Sequence, residues 1–379
     1  VTTTEERGLM SSDLPFELRM CPHLRRARQG PAVRRVRTPT GDDAWLVSGH
    51  AEIRELLNDG RIGRSHPAPE ERARYAGNPT YDQVMGADHG AADAMHAGLR
   101  AALKPHFTTR RMLELRPALA ALVEARVDAL LAQGPPADLR EDFAGPLVRQ
   151  VFAEMLGVPA ADRDRCAELM RLGAAGDLGG LYVFLTELAA APPESSMVAR
   201  LGEAGLAADQ VVQIAMLLQF AGFGATVKQI EYGFLLLAQD RSRRELLAAD
   251  PELLPLAVEE LLRLAGSLSL PRYAREDLTI GGVVIGAGDL VLLDLTQGNY
   301  DSDAFAEPTE FSPERSPNRH LTFGHGVWTC LGAPLARQVL RLVFAALLTR
   351  VPTLRPLTPV GNVSGPLSGG LPETLLVTW

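Results

Sequence analysis

The amino-acid sequence predicts a mainly α fold with a small β region, and three observations carry that reading. Apolar residues recur at helical spacing through most of the chain from Met95 onward. Strand-like alternation is confined mostly to residues 34–50 and 268–295. The longest helical pattern is apolar on most of its sides, as expected of a helix that crosses an interior.

In chain order, short strands around Ala44–Val47 lead into a helix from Ala51 to Leu57. From Arg61 to about Ala92 the chain is polar and bears Pro and Gly, which predicts a long loop with short helices; loops of that length usually carry function. Leu115, Leu119, Leu122, Val123, Val127, Leu130 and Leu131 mark a helix over Leu113–Gln133, and Val151, Phe152 and Met155 another over Val148–Leu156. The longest pattern runs from Asp209 to about Gln239, which at helical rise is roughly 45 Å. A helix over Pro251–Leu264, the turn-punctuated β region, a Pro-rich irregular stretch over Phe305–Arg319 and a helix from Ala333 to about Thr349 follow. No repeat, low-complexity linker or charge block divides the chain, so a single domain over 1–379 is expected.

Hydrophobic residues make up 46% and charged residues 22% of the chain, ample for a large core. Thirty-eight basic side chains face 46 acidic ones, for a net charge of −8, and no basic stripe interleaved with aromatics is present. Both features speak against a nucleic-acid partner. Three scattered cysteines, Cys21, Cys166 and Cys330, do not make a disulfide framework and fit a reducing compartment. The N-terminal residues carry no apolar run, and no stretch approaches ~20 uninterrupted apolar residues, so a cytoplasmic protein without a membrane partner is expected.

Cys330 has a setting that the other cysteines lack. It ends the run Phe323-Gly324-His325-Gly326-Val327-Trp328-Thr329-Cys330-Leu331-Gly332-Ala333-Pro334, a glycine-rich loop that meets a helix start. A thiolate ligand is favoured by the positive potential of a helix N-terminus. Gly324 and Gly326 allow a tight turn and a close approach to a flat ring, and Phe323 can shield the sulfur from water.

This run resembles the signature loop of the cytochrome P450 superfamily, matching at Phe323, Gly326, Cys330 and Gly332. The resemblance implies a triangular-prism fold, haem b with Cys330 as the thiolate ligand, and a loop over 323–332 that holds it. Glu260 and Arg263, one helical turn apart, resemble the family's E-x-x-R element; alone they would read as a solvated surface pair. Within the family such a pair is buried and joined by an arginine that Arg315 matches, with a structural role.

Haem carries two carboxylates, so basic donors are expected around it. His96 and Arg100 resemble the family's H-x-x-x-R, and Arg272 resembles its strand arginine. The position two before the cysteine, usually His or Arg, is Trp328 here. An indole donates one neutral hydrogen bond and offers no charge. Two readings are open: Trp328 donates that bond, or it packs against the haem edge.

The long helix contains Ala221-Gly222-Phe223-Gly224-Ala225-Thr226, which resembles the family's A-G-x-[DE]-T-T. Gly224 and Ala225 stand where the acid and the alcohol that relay protons are expected, and only Thr226 keeps a hydroxyl. One residue along a helix is ~100° around its axis, so Thr226 does not simply replace the missing group. Three readings follow. The substrate or its water completes the proton path of a monooxygenase; or the chemistry is diverted to oxidative coupling, cyclisation, dehydration or nitrene-type nitrogen transfer; or the chain is a non-catalytic haem-binding or sensing protein. Lys228 and Glu231 read as solvent-facing or paired on the helix.

The resemblance extends from about Trp45 to Trp379 and is strongest to soluble bacterial members. It implies an oxidoreductase of secondary metabolism that acts on a small molecule and takes electrons from ferredoxin and ferredoxin reductase. Arg100, Lys104, Arg110 and Arg111 form a basic cluster that could meet such an acidic partner. Leu172–Leu181, rich in Gly and Ala, is expected to be an abbreviated or disordered lid. Residues 63–92, 170–195, 220–226, 266–270 and 365–373, including Phe220, Phe223 and Leu268, are expected to line a pocket for an apolar or aromatic substrate.

Overall fold

The structure is a computed structural model and describes residues 30–66, 68–75, 89–238, 240–265, 269–357 and 374–379. Strands β1 (Val33–Arg37) and β2 (Asp43–Val47) pair antiparallel, with Val33 opposite Val47. Helix α1 (His50–Asn58) buries Ile53, Leu56 and Leu57, which its amphipathic spacing places on one side. Strand β3 (Ile62–Gly63) and helix α2 (His89–Leu103) follow, then α3 (Thr109–Gln133), where the Thr108 hydroxyl caps the Arg111 N–H. Strand β4 (Ala137–Asp138) leads through a π-helical turn over Leu139–Ala144 into α4 (Gly145–Leu156). Next come α5 (Arg163–Ala174), α6 (Gly179–Ala190), α7 (Met197–Glu203) and α8 (Ala208–Ala238). Helices α9 (Arg241–Ala249) and α10 (Leu254–Leu264) precede β5 (Ser269–Ala274), β6 (Leu278–Ile280), β7 (Val283–Ile285) and β8 (Leu290–Asp294). The chain ends with α11 (Leu295–Asn299), α12 (Ala333–Arg350), β9 (Arg355–Pro356) and β10 (Leu376–Thr378).

Two compact units are built from separated stretches. Among the described residues, the first holds those up to Gly98 and from Glu259 to Cys330, and the second those from Leu99 to Val258 and from Leu331 on. In the first unit a five-stranded sheet has the order β1-β2-β8-β5-β3, and the β2–β8 pair is parallel. Its core packs Val47, Ile53, Leu57, Val291, Leu293 and Leu321, with Trp328 at the margin.

In the second unit α8 is the central element. Val227 and the run from Ile230 to Leu237 are buried. Gly233 lies so close to α12 that an added Cβ would strike the Phe344 ring, and Gly222 likewise faces the Phe152 ring of α4. By length and composition α8 could cross a membrane, which the reading of the sequence did not anticipate. Its second half, which includes Glu231, is buried, whereas the apolar window that meets that length and composition is 28% buried.

The expected lid over Leu172–Leu181 is ordered. It closes α5 and opens α6 through a short turn at 175–178, and Leu181, Phe184, Leu185 and Leu188 are buried behind it. Gly173 and Gly180 serve packing, since a Cβ on Gly173 would meet Leu178 at 3.3 Å and one on Gly180 would meet Leu169 at 2.8 Å, whereas Gly176 takes the left-handed turn between the helices at φ +104°. The helices expected over 113–133, 148–156 and 209–239 are present, each beginning one to four residues earlier.

Gly233→Val should overpack the α8–α12 contact and cost about 1–3 kcal/mol. The measurement is urea unfolding, where a lower midpoint with an unchanged slope is expected.

Candidate functional site

Helix α10 carries Glu260 and Arg263 on one face, and both are fully buried. Arg263 meets Glu260 with two hydrogen bonds, Nε to Oε2 at 2.8 Å and Nη2 to Oε1 at 2.8 Å. Its remaining N–H groups donate to the carbonyls of Asn299 (2.8 Å), Pro308 (2.6 Å) and Glu310 (3.1 Å). The carboxylate also accepts from Arg315 Nε (3.0 Å), Asn318 Nδ2 (3.0 Å) and the Ser312 N–H (3.1 Å). Burial pushes the Glu260 carboxyl up, but Arg263, the Ser312 N–H and Arg315 outweigh it and hold it below its usual range. A buried ion pair is tolerable when its donors and acceptors are satisfied in this way.

Asn299 carries this web to the cysteine loop, and sequence reasoning passed over it. Its Nδ2 donates to the Arg263 carbonyl (3.1 Å) and to Thr322 Oγ1 (2.9 Å), and its Oδ1 accepts from the Leu321 N–H (2.6 Å). Thr322 Oγ1 in turn donates to the Leu262 carbonyl of α10 (2.8 Å). The available signal was a lone amide at the end of a short segment between the last strand and the Pro-rich stretch.

The loop then folds on its own backbone. Gly324 (φ +70°) and Gly326 (φ +58°) adopt left-handed conformations that favour glycine. A Cβ on Gly324 would approach the Trp328 carbonyl to 2.7 Å, and one on Gly326 would strike Asn58 and lie 3.1 Å from the Leu57 carbonyl. The close approach that demands Gly326 is therefore to α1. A single turn over Gly326–Trp328 follows, and the Cys330 N–H donates to the Phe323 carbonyl at 2.7 Å, closing the loop. Cys330 is exposed, whereas Cys166 is buried, and burial pushes the Cys166 thiol up to about 12. Gly332 stands at the N-cap of α12, three residues before Leu335 enters the core.

Trp328 packs against two guanidinium groups and an imidazole. The Arg272 guanidinium carbon lies 4.4 Å from the indole centroid, that of Arg64 5.0 Å, and the His96 ring 4.6 Å. Arg272 is buried on β5, where pairing with Val291 of β8 fixes its register. Arg64 was not singled out from the sequence. Arg100 lies one turn beyond His96 on α2 and is half-buried.

On α8, Phe220 is 70% exposed and Gly224 and Ala225 are exposed, while Phe223 and Thr226 are half-buried. A Cβ on Gly224 would meet nothing within 4 Å. The Arg149 guanidinium lies 4.9 Å from the Phe223 centroid. Glu231 is not solvent-facing: it is fully buried and takes two hydrogen bonds from Arg140 of the π-helical turn, at 2.7 and 2.8 Å. Burial pushes its carboxyl up against the opposing pull of Arg140. Leu268 and the expected pocket stretches 76–88, 266–268 and 365–373 lie outside the described residues.

Comparison with known proteins finds that a family model described as Cytochrome P450 matches residues 194–352. Pentalenolactone synthase of Streptomyces exfoliatus is 35% identical, with 92% of each chain covered. Mycinamicin IV hydroxylase/epoxidase of Micromonospora griseorubida is also 35% identical, with 100% of each covered. Among solved structures, substrate-free cytochrome P450 PimD, a polyene macrolide antibiotic pimaricin epoxidase, is similar with a TM-score of 0.87 and 40% identity, over 97% of this chain and 100% of that one.

Because Glu260 is held below its ordinary value of 4.5, the stability it contributes is present above that pH and is lost as pH falls through the lowered value. Glu260→Gln should remove that share of the acid limb of a stability–pH profile, measured by denaturant unfolding from pH 7 to 3. Breaking the pair should also lower stability at pH 7 by about 3–5 kcal/mol.

Proposed function

The chain belongs to the cytochrome P450 superfamily, and from that premise we propose that it oxygenates an apolar secondary-metabolite molecule whose own groups or ordered water complete the proton path. It is a haem–thiolate enzyme, a monooxygenase of small molecules, and the relatives' hydroxylase and epoxidase names set aside the reading of a haem protein without turnover. The fold expectation of a mainly α chain with small sheets holds.

The residues present fit haem b. Cys330 offers an exposed thiol at the end of a self-bonded loop that runs into α12, and Arg272, Arg64 and His96 gather basic donors suited to two carboxylates. Cys330 would be the iron ligand, with Arg272, His96 and Arg100 as propionate anchors. Bound there, haem supplies the activation of dioxygen and the transfer of one oxygen atom to the substrate. Phe323 and Gly324 would shape the sulfur's surroundings, and Gly332 the entry to α12. Glu260, Arg263 and Arg315 hold the loop's base.

The observation that carries the proton-path reading is the pair Gly224–Ala225. Neither side chain can hold or move a proton, and Thr226 points ~100° away from position 225 on the helix. General acid catalysis must then come from a hydroxyl or water that arrives with the substrate. The same pair supports a second reading, in which the chemistry is diverted to coupling, cyclisation, dehydration or nitrogen transfer. The exposed Phe220 and Leu217 of α8 support an apolar substrate, with Phe223 beside them. Relatives named mycinamicin IV hydroxylase/epoxidase, 20-oxo-5-O-mycaminosyltylactone 23-monooxygenase and polyene macrolide antibiotic pimaricin epoxidase make mycinamicin IV a sensible first substrate.

Electrons would come from ferredoxin and its reductase through Arg100, Lys104, Arg110 and Arg111. Arg110 and Arg111 both pair with Glu114, at 3.1 and 3.2 Å, which leaves less free charge than their number implies. Such exposed pairs contribute little and yield readily to an acidic partner.

The reduced CO complex should show the red-shifted Soret band of thiolate ligation, and Cys330→Ala should lose it. With ferredoxin, its reductase, mycinamicin IV and ¹⁸O₂, one labelled oxygen per product supports monooxygenation, whereas an unlabelled product, formed with dioxygen as oxidant for coupling or cyclisation or without it for dehydration or nitrogen transfer, supports the diverted reading. Gly224→Glu combined with Ala225→Thr should raise the share of reducing equivalents recovered in product; unchanged coupling would place the proton path elsewhere.

A further inference from the structure

We propose that Arg64 is a haem-propionate cation held in place by the face of Trp328, supplying the charge that the cysteine loop lacks at position 328. The inference rests on the haem reading above.

Three separate elements deliver donors to one indole. Strand β3 pairs antiparallel with β5, Ile62 opposite Ala274 and Gly63 opposite Tyr273. Continuing that register by one residue sets Arg64 across from Arg272, and both guanidinium groups lie on Trp328, at 5.0 and 4.4 Å from its centroid. The third element, α2, brings the His96 ring to 4.6 Å, tilted by 32°.

The position of α2 is itself fixed from the same edge of the sheet. Arg275, just past β5, makes a bidentate ion pair with Asp93, with Nη1–Oδ2 at 2.8 Å and Nη2–Oδ1 at 2.7 Å. Asp93 and His96 are three residues apart and share a face of α2. Gly63 leaves the space that Arg275 occupies, since a Cβ there would collide with its guanidinium. Thus β3 contributes both the room for the clamp and the arginine that follows it.

Two like charges directly opposed across strands are unfavourable in isolation. The indole face offsets part of that repulsion through cation–π attraction. A ligand bearing two carboxylates is attracted to such a pair of cations, and haem is such a ligand. In the family pattern the loop itself supplies His or Arg at position 328. Here the indole supplies a platform instead, and Arg64 restores the number of cations around the propionates.

The test is haem transfer from the ferric holoenzyme to excess apomyoglobin, with the CO spectrum of each variant recorded alongside. Arg64→Met, which keeps the length and removes the charge, should release haem about tenfold faster, the scale of losing an outer support of a bound metal group. Arg64→Lys should stay near wild type. In a Trp328→His background, Arg64→Met should cause no further acceleration, because the loop then carries its own cation. Wild-type release from Arg64→Met overturns the proposal, and so does equal acceleration in both backgrounds. The Arg64→Met and Arg64→Lys comparison decides it even if Trp328→His does not fold. A failure here leaves the red-shifted CO band intact, whereas failure of the haem reading removes that band from the wild type.

Discussion

The rest of the first unit depends on one buried ion pair. Glu260 and Arg263 have no access to water, and such a pair repays its desolvation only when every remaining lone pair and proton is used. Here the surplus donors of Arg263 reach the carbonyls of Asn299, Pro308 and Glu310, and the surplus acceptors of Glu260 take Arg315, Asn318 and Ser312. Apart from Asn299 at the end of α11, each of those partners lies in irregular chain. Satisfying the pair and ordering the Pro-rich stretch are therefore one event: the energy of a buried charge is spent on specifying a loop. Asn299 then transmits the order, since it bonds the backbone on both sides, at Arg263 and at Leu321.

Beyond Leu321 the loop is set by exclusion more than by attraction. The left-handed Gly324 and Gly326 leave no space for a Cβ, and Gly326 lets the loop sit against the last turn of α1. The Cys330 N–H closes the ring on Phe323, which places the thiol at the surface of its own unit. Trp328 then becomes a hub where its family relatives carry a charge. Its two guanidinium neighbours keep the local potential positive without any charge on the loop itself.

Most elements were legible because helical and strand periods dominate their stretches, and their ends moved by only a few residues. The loop, Cys330, Glu260, Arg263 and Arg315 were legible through the family pattern. Arg64 and Asn299 were not, for different physical reasons. Arg64 earns its place through cross-strand register, which a linear reading does not supply. Asn299 acts by bonding backbone groups, so nothing in its neighbours' identities betrays it. The disordered alternative for Leu172–Leu181 fails because Gly173 and Gly180, which look like loop composition, here allow α5 and α6 to pack closely. Glu231, expected to be solvent-facing or paired on its own helix, is buried with Ile230, Phe234 and Leu235 around it; a carboxylate in that company needs a cation, and Arg140 of the π-helical turn is that cation.

That ion pair bears on the chemistry of α8. Gly224 and Glu231 are seven residues apart, so they face almost the same way, within ~20°. The face that lost an acid at 224 thus retains one two turns further along. Glu231 does not stand in for the missing group, because Arg140 occupies both its oxygens and no solvent reaches it. To carry a proton it would have to break a bidentate pair in the interior, which is strongly unfavourable. The acid that α8 keeps is committed to holding the π-helical turn against the helix. With that carboxylate committed, and with no side chain at 224 or 225 able to titrate, the proposed monooxygenation needs a proton path brought to this helix by substrate or water.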